Sequence, residues 1–430
     1  MSSKRSFKLM GILWIVVVSV GLVGVVMTYA IDNEKGDKPM DTELLGGMTT
    51  LMPEGLAEMQ QGQYILHARG GKLTKVAVEK SLLPHDPKGH VQAISMSMAL
   101  GPDGTVYVKQ QTLICESKDG GRTWTSYELG SGPAGESMGG SVEILSDGTF
   151  ISCTGGARSD SIPEWAYLDV VVCASSDEGR TWQKISEIKQ PEEYHDWYVY
   201  PNYRFFRLPD DTLLCGISIR KGMVWDEHRE KGLMYRSSDR GRTWQGPVEV
   251  CEYWGGMEGG LARTASGKLL AVIRYQRPLL PDDPPDLLEK TGASMFGDNY
   301  PYKHVFLADS EDEGLTWKNF RQLTTIFGQC YGYPAALSDG TVVVIHDHRY
   351  PRGLPGRAMI SCDEGETWED EVYYMYCGAA VSGYSQSVVL EDDLILTIAG
   401  TTEYMPATNS FHAMIGRSNL TAIRWQPVRD

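Results

Sequence analysis

Short apolar runs separated by polar turns alternate along the chain after about residue 61. Runs such as Thr105–Val108, Thr212–Cys215 and Thr341–Val344 are rich in strand-forming residues, and each directly follows a turn sequence of the Asp-Gly kind. An apolar run, a turn of this kind and a second apolar run predict a β-hairpin. Helical periodicity is scarce in the same region. We therefore expect an all-β domain built from antiparallel hairpins.

The hairpin turn recurs six times along this region. The copies are Asp103-Gly104, Asp147-Gly148, Asp210-Asp211, Ser266-Gly267, Asp339-Gly340 and Asp392-Asp393. A repeat of this size is one supersecondary unit that can bury its apolar face only against its neighbours, so the copies must stack or close into a ring.

A second turn signature, Ser-x-Asp-x-Gly-x-Thr-Trp, follows five of these hairpins. Its copies begin at Ser117, Ser175, Ser237, Ser310 and Ser361. Asp accepts hydrogen bonds from backbone N–H groups and Gly tolerates positive φ, so the signature predicts a tight turn. A degraded sixth copy is predicted at Ser418–Thr421, followed by Trp425. Six units of about four strands predict a six-bladed β-propeller over residues 61–430.

The start of the chain has a different character. Basic residues precede an uncharged stretch, 9–31, that is rich in Val, Ile, Leu and Gly. The stretch is longer than an ordinary signal core and long enough to cross a bilayer, so residues 1–31 are predicted to form a transmembrane or signal helix. The basic flank should stay in the cytoplasm, which places the propeller outside it, either anchored or released after Ala30. Residues 32–60 are polar and predict a linker.

Charge and cysteine content narrow the class of partner. The net charge of −16 disfavours nucleic acid and anionic membrane surfaces. The eight Cys form no Cys-x-x-Cys pair and no zinc-like spacing, which favours buried free thiols over disulfides or a redox site. No cofactor is expected.

Strand register predicts where a site would form. In a blade the second strand returns to the face from which the first strand starts, so residues flanking this hairpin converge at one end of the central channel. Counting nine residues back and seven to ten forward from the second turn residue of the third to sixth repeats selects Asn202, Arg220, Glu258, Arg274, Arg277, Tyr331, Asp347, Arg349, Tyr384 and Glu403. The first repeat offers only Ser95 and Gln111 and is expected to be bare. Arg pairs bidentately with carboxylates, so this rim suits an anionic sugar.

The eight-residue turns resemble the Asp-boxes, or BNR repeats, of the sialidase superfamily, from about residue 90 to the C-terminus. Residues 258–274, 332–361 and 383–385 are also similar to successive blades of bacterial sialidases. The resemblance implies a sialidase-like propeller and an exo-glycosidase acting on a terminal acidic sugar. The boxes favour the fold more than the activity, because they lie on outer turns and occur in unrelated propellers.

The resemblance also implies roles for individual residues. Tyr384 would attack the anomeric carbon, Glu258 would accept its proton, and Arg274 and Arg349 would bind the substrate carboxylate. A free phenol has a pKa of about 10 and needs an adjacent base to become a nucleophile. A neutral Tyr also avoids the repulsion that a carboxylate nucleophile would meet, and sialidases are known for this exception among glycosidases.

The chain departs from the sialidase pattern in its first blade, which has neither the Arg of an Arg-Ile-Pro motif nor the Asp after the hairpin. Arg220 is a candidate for the missing Arg. Asp160 or Glu164, in the long loop of the second repeat, is a candidate for the acid. Each of these residues has an ordinary alternative as a solvated loop charge.

His346 and His348 lie on one face of the same strand. Two evident ligands are too few for a metal site, so none is predicted. His348 is instead expected to contact substrate at the rim, together with Arg277, Tyr331 and Asn202.

Three classes of function remain open from the sequence. The first is a sialidase-type glycosidase for an acidic sugar, and the second is a uronate lyase or hydrolase on the same scaffold. The third is a non-catalytic glycan-binding propeller. In each case the expected partner is a glycan.

Overall fold

The computed structural model describes residues 55–85, 96–164, 166–222, 229–251, 254–348, 355–369, 371–377, 384–402, 404–405, 410–411 and 418–429. The predicted transmembrane or signal helix 1–31 and most of the predicted linker lie outside these residues. Within the described ranges, none of the helices has the length and apolar character needed to cross a membrane.

The first described elements precede the propeller in sequence. They are helix α1 (Leu56–Gln61) and strands β1 (Tyr64–Arg69), β2 (Lys72–Ala77) and β3 (Glu79–Leu82). Leu56 and Met59 of α1 are buried against Tyr374 in a small apolar cluster. Residues 56–60 are therefore a packed helix rather than the linker that the sequence predicts.

Six sheets follow, one for each predicted repeat. Blade 1 contains β4 (Ser97–Leu100), β5 (Val106–Lys109), β6 (Leu113–Ser117) and β7 (Thr125–Glu128). Blade 2 contains β8 (Glu143–Ile144), β9 (Phe150–Gly155), β10 (Asp169–Ser175) and β11 (Gln183–Lys189). Blade 3 contains β12 (Tyr198–Arg207), β13 (Leu213–Lys221), β14 (Arg229–Ser237) and β15 (Gln245–Cys251).

Blade 4 contains β16 (Gly255–Gly256), β17 (Leu261–Arg263), β18 (Leu269–Arg277), β19 (Tyr302–Ser310) and β20 (Lys318–Gln322), with helix α2 (Leu287–Lys290) between β18 and β19. Blade 5 contains β21 (Gly332–Ala336), β22 (Val342–His346), β23 (Pro355–Ser361) and β24 (Glu371–Cys377), and β1 and β2 extend its outer edge. Blade 6 contains β25 (Ser385–Val389) and β26 (Ile395–Thr402), followed by the ribbon β27 (Tyr404–Met405) and β28 (Ser410–Phe411), and then β29 (Ser418–Trp425). Six antiparallel sheets, with almost no helix in the described part of the chain, confirm the all-β six-bladed propeller.

The ring closes with a strand from the beginning of the domain. β3 pairs antiparallel with β29 and supplies the fourth strand of blade 6, with Thr421 opposite Leu82 and Arg424 opposite Glu79. The predicted degraded turn at Ser418–Thr421 is wrong, because this segment is part of the strand β29. Ser-Asn-Leu-Thr has neither the Asp nor the Gly on which the turn depends, whereas its Leu and Thr suit a strand.

The apolar core lies between blades. At each of the six junctions, side chains from adjacent blades form one buried cluster. All eight Cys are free, and seven of them are buried. Free thiols were expected, and only Cys362 departs from the expected burial.

The five eight-residue turns share one set of hydrogen bonds. In the first turn the Ser117 hydroxyl donates to Asp119 at 2.7 Å and accepts the N–H of Gly121 at 2.7 Å. Asp119 also accepts the backbone N–H and the hydroxyl of Thr123 at 2.9 and 2.6 Å. The other four copies repeat this pattern. Each turn is thus held by its own side chains.

Two of these turns share a serine–tryptophan pair of hydrogen bonds with the preceding blade. The Trp124 indole N–H donates to the Ser81 hydroxyl at 3.0 Å, and Ser81 donates to the Gly121 carbonyl at 2.7 Å. Ser186 makes the same pair of bonds with Trp244 and Gly241. Ser81 lies on the closing strand β3, so this bond pair ties the closed edge of blade 6 to blade 1.

We predict that Ser81→Ala lowers the free energy of unfolding by about 1–2 kcal/mol, because it removes two hydrogen bonds and leaves the Trp124 donor without its acceptor. Urea denaturation monitored by tryptophan fluorescence measures the change. Ser126→Ala is the matched control, since that exposed side chain makes no hydrogen bond with the described part of the chain. The control should stay within about 0.5 kcal/mol of the parent. Equal stability of the two variants would contradict the role of Ser81.

Candidate functional site

The inner strand of blade 4 is interrupted, and Glu258 lies in the interruption. β16 and β17 both pair with β18, and residues 257–260 between them leave the ladder. The backbone passes so close to β18 here that a Cβ on Gly259 would lie 2.1 Å from the Val272 carbonyl oxygen. Only glycine fits this position, and the close approach directs Glu258 into the end of the channel.

Glu258 is completely buried and has two strong partners. One terminal nitrogen of Arg274, Nη1, donates to both carboxylate oxygens at 2.7 and 2.6 Å. The Tyr384 hydroxyl donates to Oε2 at 3.1 Å. A buried carboxylate is tolerated only when it is paired and hydrogen-bonded, and both conditions are met here.

Arg220 and Glu230 form a second pair beside the first. Nε and Nη2 of Arg220 donate to one oxygen of Glu230 at 3.1 and 2.9 Å, and Nη2 lies 3.8 Å from Glu258. The Arg220 guanidinium also lies 3.5 Å from the centre of the Tyr200 ring. Burial raises the pKa of Glu230, and Arg220 opposes this shift. We call Arg220, Glu230, Glu258, Arg274 and Tyr384 the Glu258 cluster.

Tyr331 supports the cluster from blade 5. Its ring centre lies 3.9 Å from that of Tyr384, and its hydroxyl donates to the Ser385 carbonyl at 3.2 Å. Its backbone N–H donates to Asp347 at 2.9 Å. Burial raises the pKa of Tyr331. Tyr331 therefore positions the backbone and ring of Tyr384 rather than facing solvent.

The two histidines on β22 and after it are both buried. Nδ1 of His348 lies 3.3 Å from the Gln329 side-chain amide, and Nδ1 of His346 lies 2.9 Å from the Asp347 carbonyl. Burial lowers the pKa of His346 to about 4, so that side chain is neutral at physiological pH. In the described part of the chain, no group of three or more His, Cys, Asp or Glu side chains has an arrangement that could hold a metal ion.

Other candidates lie elsewhere. Arg277 donates to both oxygens of Asp283 at 2.6 and 2.8 Å, on an outer face and not at the channel. Asp160 is exposed on the loop of blade 2 and makes no ion pair with any described residue. Asn202 lies in β12 at an irregularity of the pairing. Arg349 and Glu403 lie outside the described residues.

Two buried cations near the cluster were not selected by counting along the sequence. Arg204 donates to the Glu258 carbonyl at 3.3 Å and to the Met96 carbonyl at 3.1 Å. Lys109 is the last residue of β5, and only 2% of its surface is exposed. Burial lowers the pKa of Lys109 to about 8, and the nearby positive charge of Arg204 contributes to this shift. The expectation of a bare first blade is therefore wrong. Each residue lies two positions closer to its hairpin turn than the positions selected by counting. A shift of two residues keeps a side chain on the same face of a strand, so a wider window would have found both residues.

Side chains of both charges lie at this end of the channel. Among the described residues, the basic ones are Lys109, Arg204, Arg220 and Arg274, and the acidic ones are Glu143, Glu230, Glu258 and Asp347.

A cavity of about 390 Å³ occupies the propeller axis. Residues from the inner strands of the blades line it, including Arg204, Tyr333 and Gln386. Gln386 donates to the Met96 carbonyl at 2.6 Å, so Arg204 and Gln386 share one acceptor.

Comparison with known proteins finds other structures that share this fold. No family model matches the chain, and no curated protein matches it. Among solved structures, a protein of unknown function from Dyadobacter fermentans DSM 18053 has a TM-score of 0.55 and 18% identity over 80% of this chain and 97% of that one. The α-L-arabinanase of Penicillium chrysogenum has a TM-score of 0.52 and 16% identity, covering 81% and 98%. The α-L-arabinofuranosidase of Fusarium graminearum has a TM-score of 0.51 and 16% identity, covering 81% and 97%. At these identities the likeness concerns the propeller fold alone.

We predict that Lys109→Met stabilises the ligand-free protein by roughly 1–3 kcal/mol at pH 7. The pKa of Lys109 falls from 10.5 in the unfolded chain to about 8 in the folded one. The folded state therefore disfavours the charged amine fully below pH 8 and no longer does so above about pH 10.5. The gain should shrink between pH 7 and pH 9.5 in parallel urea titrations. Lys118→Met, at an exposed position, is the control, and a gain for Lys109→Met that does not change with pH would contradict the assignment.

Proposed function

We propose that the protein is a glycoside hydrolase of sialidase type that acts on a terminal acidic sugar. The observation that carries the proposal is the 3.1 Å hydrogen bond from the Tyr384 hydroxyl to the buried Glu258 carboxylate. A phenol and a carboxylate held in this way form a nucleophile and its base. The Asp-box-like turns and the propeller fold are compatible with this chemistry but do not establish it.

The pair would act by double displacement. Tyr384 attacks the anomeric carbon while its proton passes to Glu258, and the bond to the leaving oxygen breaks as an acid protonates that oxygen. The conjugate base of that acid then removes a proton from water, which attacks the same carbon. Glu258 returns its proton to the departing Tyr384 oxygen, and the sugar is released. Two inversions at one carbon give net retention of configuration. Asp160 remains the candidate acid, and its exposed loop position is suited to a leaving group that departs toward solvent.

The guanidinium groups beside Glu258 support an acidic substrate. Arg274 and Arg220 both lie next to this carboxylate, and a guanidinium pairs well with the carboxylate of an anionic sugar. Arg274 donates through Nη1 to Glu258 and through Nη2 to Gln276 at 2.7 Å, so its orientation is set before substrate arrives. A preorganised guanidinium binds a carboxylate at a lower entropic cost.

The test is hydrolysis of 4-methylumbelliferyl glycosides by the full chain. We expect release from an N-acetylneuraminic acid or uronic acid glycoside and much slower release from the neutral α-L-arabinofuranoside. Tyr384→Phe should lower kcat/KM by at least about 1,000-fold, because it removes the nucleophile. Tyr107→Phe is the matched control, since Tyr107 is also buried and bonded to a glutamate, Glu178, but lies far from the cluster in blade 1.

Proton NMR of the first-released sugar supplies an independent readout, and retention of configuration is expected. An unsaturated product that absorbs in the ultraviolet would instead indicate a lyase. Binding without turnover would indicate a glycan-binding propeller. Full activity of Tyr384→Phe would reject the nucleophile.

We also propose that residues 9–31 place the propeller outside the cytoplasm, as a membrane anchor or an export signal. The uncharged length and the basic flank of this segment support the proposal. Fractionation of cells that express the full chain, with N-terminal sequencing, should find it in the membrane or beyond it. Recovery from the cytoplasm with Met1 intact would contradict the proposal.

A further inference from the structure

A second concave surface lies between the outer parts of blades 3 and 4. It has a volume of about 540 Å³, and its lining includes Trp254, Tyr275, Arg277, Trp317 and Phe320. Leu280, from the insert between β18 and β19, forms one wall. We call this surface the outer groove. None of its lining residues belongs to the Glu258 cluster.

Aromatic rings form the floor of the outer groove. Tyr275, Phe306 and Phe320 come from the adjacent strands β18, β19 and β20. The ring centres of Tyr275 and Phe306 are 4.3 Å apart, and those of Phe306 and Phe320 are 4.9 Å apart and stacked. Phe320 is 40% exposed although it is an apolar residue. Trp254, Tyr275 and Trp317 are partly exposed. Tyr275 and Phe320 thus line the concavity, and Phe306 packs against both of their rings from the core side.

Hydrogen-bonding groups surround this floor. Arg277 and Asp283 form their bidentate pair at one side. Glu249, from β15 of blade 3, accepts the Tyr194 hydroxyl at 2.6 Å and pairs with Lys231. The charges of Arg277 and Glu249 are therefore already neutralised by Asp283 and Lys231. A charged ligand would gain little from binding in this groove. Its polar rim offers donors and acceptors to a neutral one.

We propose that the outer groove binds a neutral sugar ring of an oligosaccharide. The flat C–H faces of such a ring would stack on Phe320 and Tyr275, and its hydroxyl groups would bond to the rim. A volume of 540 Å³ is within the range of small-ligand sites. The groove lies near the Glu258 cluster along β18, since Arg277 is three residues beyond Arg274, or about 10 Å along a strand. This inference goes beyond the proposed hydrolysis and does not depend on it.

The test uses the full chain carrying Tyr384→Phe, so that binding is measured without turnover. The probes are neutral pentasaccharides of α1,5-arabinose, β1,4-xylose and β1,4-glucose, titrated by calorimetry and by fluorescence of Trp254 and Trp317. We expect one-to-one binding of at least one probe, unchanged by saturating N-acetylneuraminic acid. Phe320→Ala should weaken binding at least about tenfold, as loss of one stacking platform does. Leu280→Ser, which alters the wall instead of the floor, should weaken it as well.

Leu315→Ala is the matched control, because Leu315 is 50% exposed in the same blade but does not line the groove. Absence of binding at millimolar concentration for all three probes would overturn the proposal. Unchanged affinity in both groove variants, with their fold verified by circular dichroism, would also overturn it. Self-association abolished by Phe320→Ala in sedimentation would assign the groove to a second copy instead. Probe binding by Tyr384→Phe, together with no hydrolysis of any acidic glycoside by the unsubstituted chain, would reject the proposed function and leave this inference standing.

Discussion

A carboxylate without any exposed surface constrains the whole channel end. Burying an isolated carboxylate costs several kcal/mol, and the cost is offset only when its partners are correctly placed. Arg274 donates to both carboxylate oxygens of Glu258, and Tyr384 donates to one of them. Arg274 must therefore leave β18 at a fixed angle, and the chain must contain glycine at position 259 to let the backbone approach β18. One buried charge thus determines a backbone path, a guanidinium orientation and the position of a phenol.

These partners meet only because the ring is complete. Glu258 and Tyr384 are 126 residues apart in sequence and belong to blades separated by a third blade. Their separation depends on the packing of each blade against the next, and the last blade depends on β3 for its outer strand. The apolar contacts between blades have no preferred geometry. Interblade hydrogen bonds such as that between Ser81 and Trp124 add a directional interaction to this core.

The parts of this structure that follow a local rule could be predicted from the sequence. Six hairpin turns correctly indicate six blades, and the same regular hairpins place Glu258 and Tyr384 at one end of the channel. The origin of the closing strand could not be predicted, because pairing between distant segments leaves no local pattern. Lys109 and Arg204 were missed because each lies two residues closer to its hairpin turn than the positions selected by counting. Arg277 was misplaced because Asp283, in an insert of irregular sequence, draws it to the outer face. Regular repeats can be predicted from the sequence, whereas the conformation of insertions and the closure of the ring depend on long-range contacts in the folded chain.

The closing strand has a consequence for how the protein is made. β3 is among the earliest segments of the domain to leave the ribosome, yet its partner β29 is among the last. During synthesis β3 and the growing edge of the propeller both present unpaired backbone groups, which is the condition under which strands pair wrongly. Pairing over so long a loop is also intrinsically slow. Correct folding should therefore depend on protection of these strand edges from wrong pairing until the final residues have been translated.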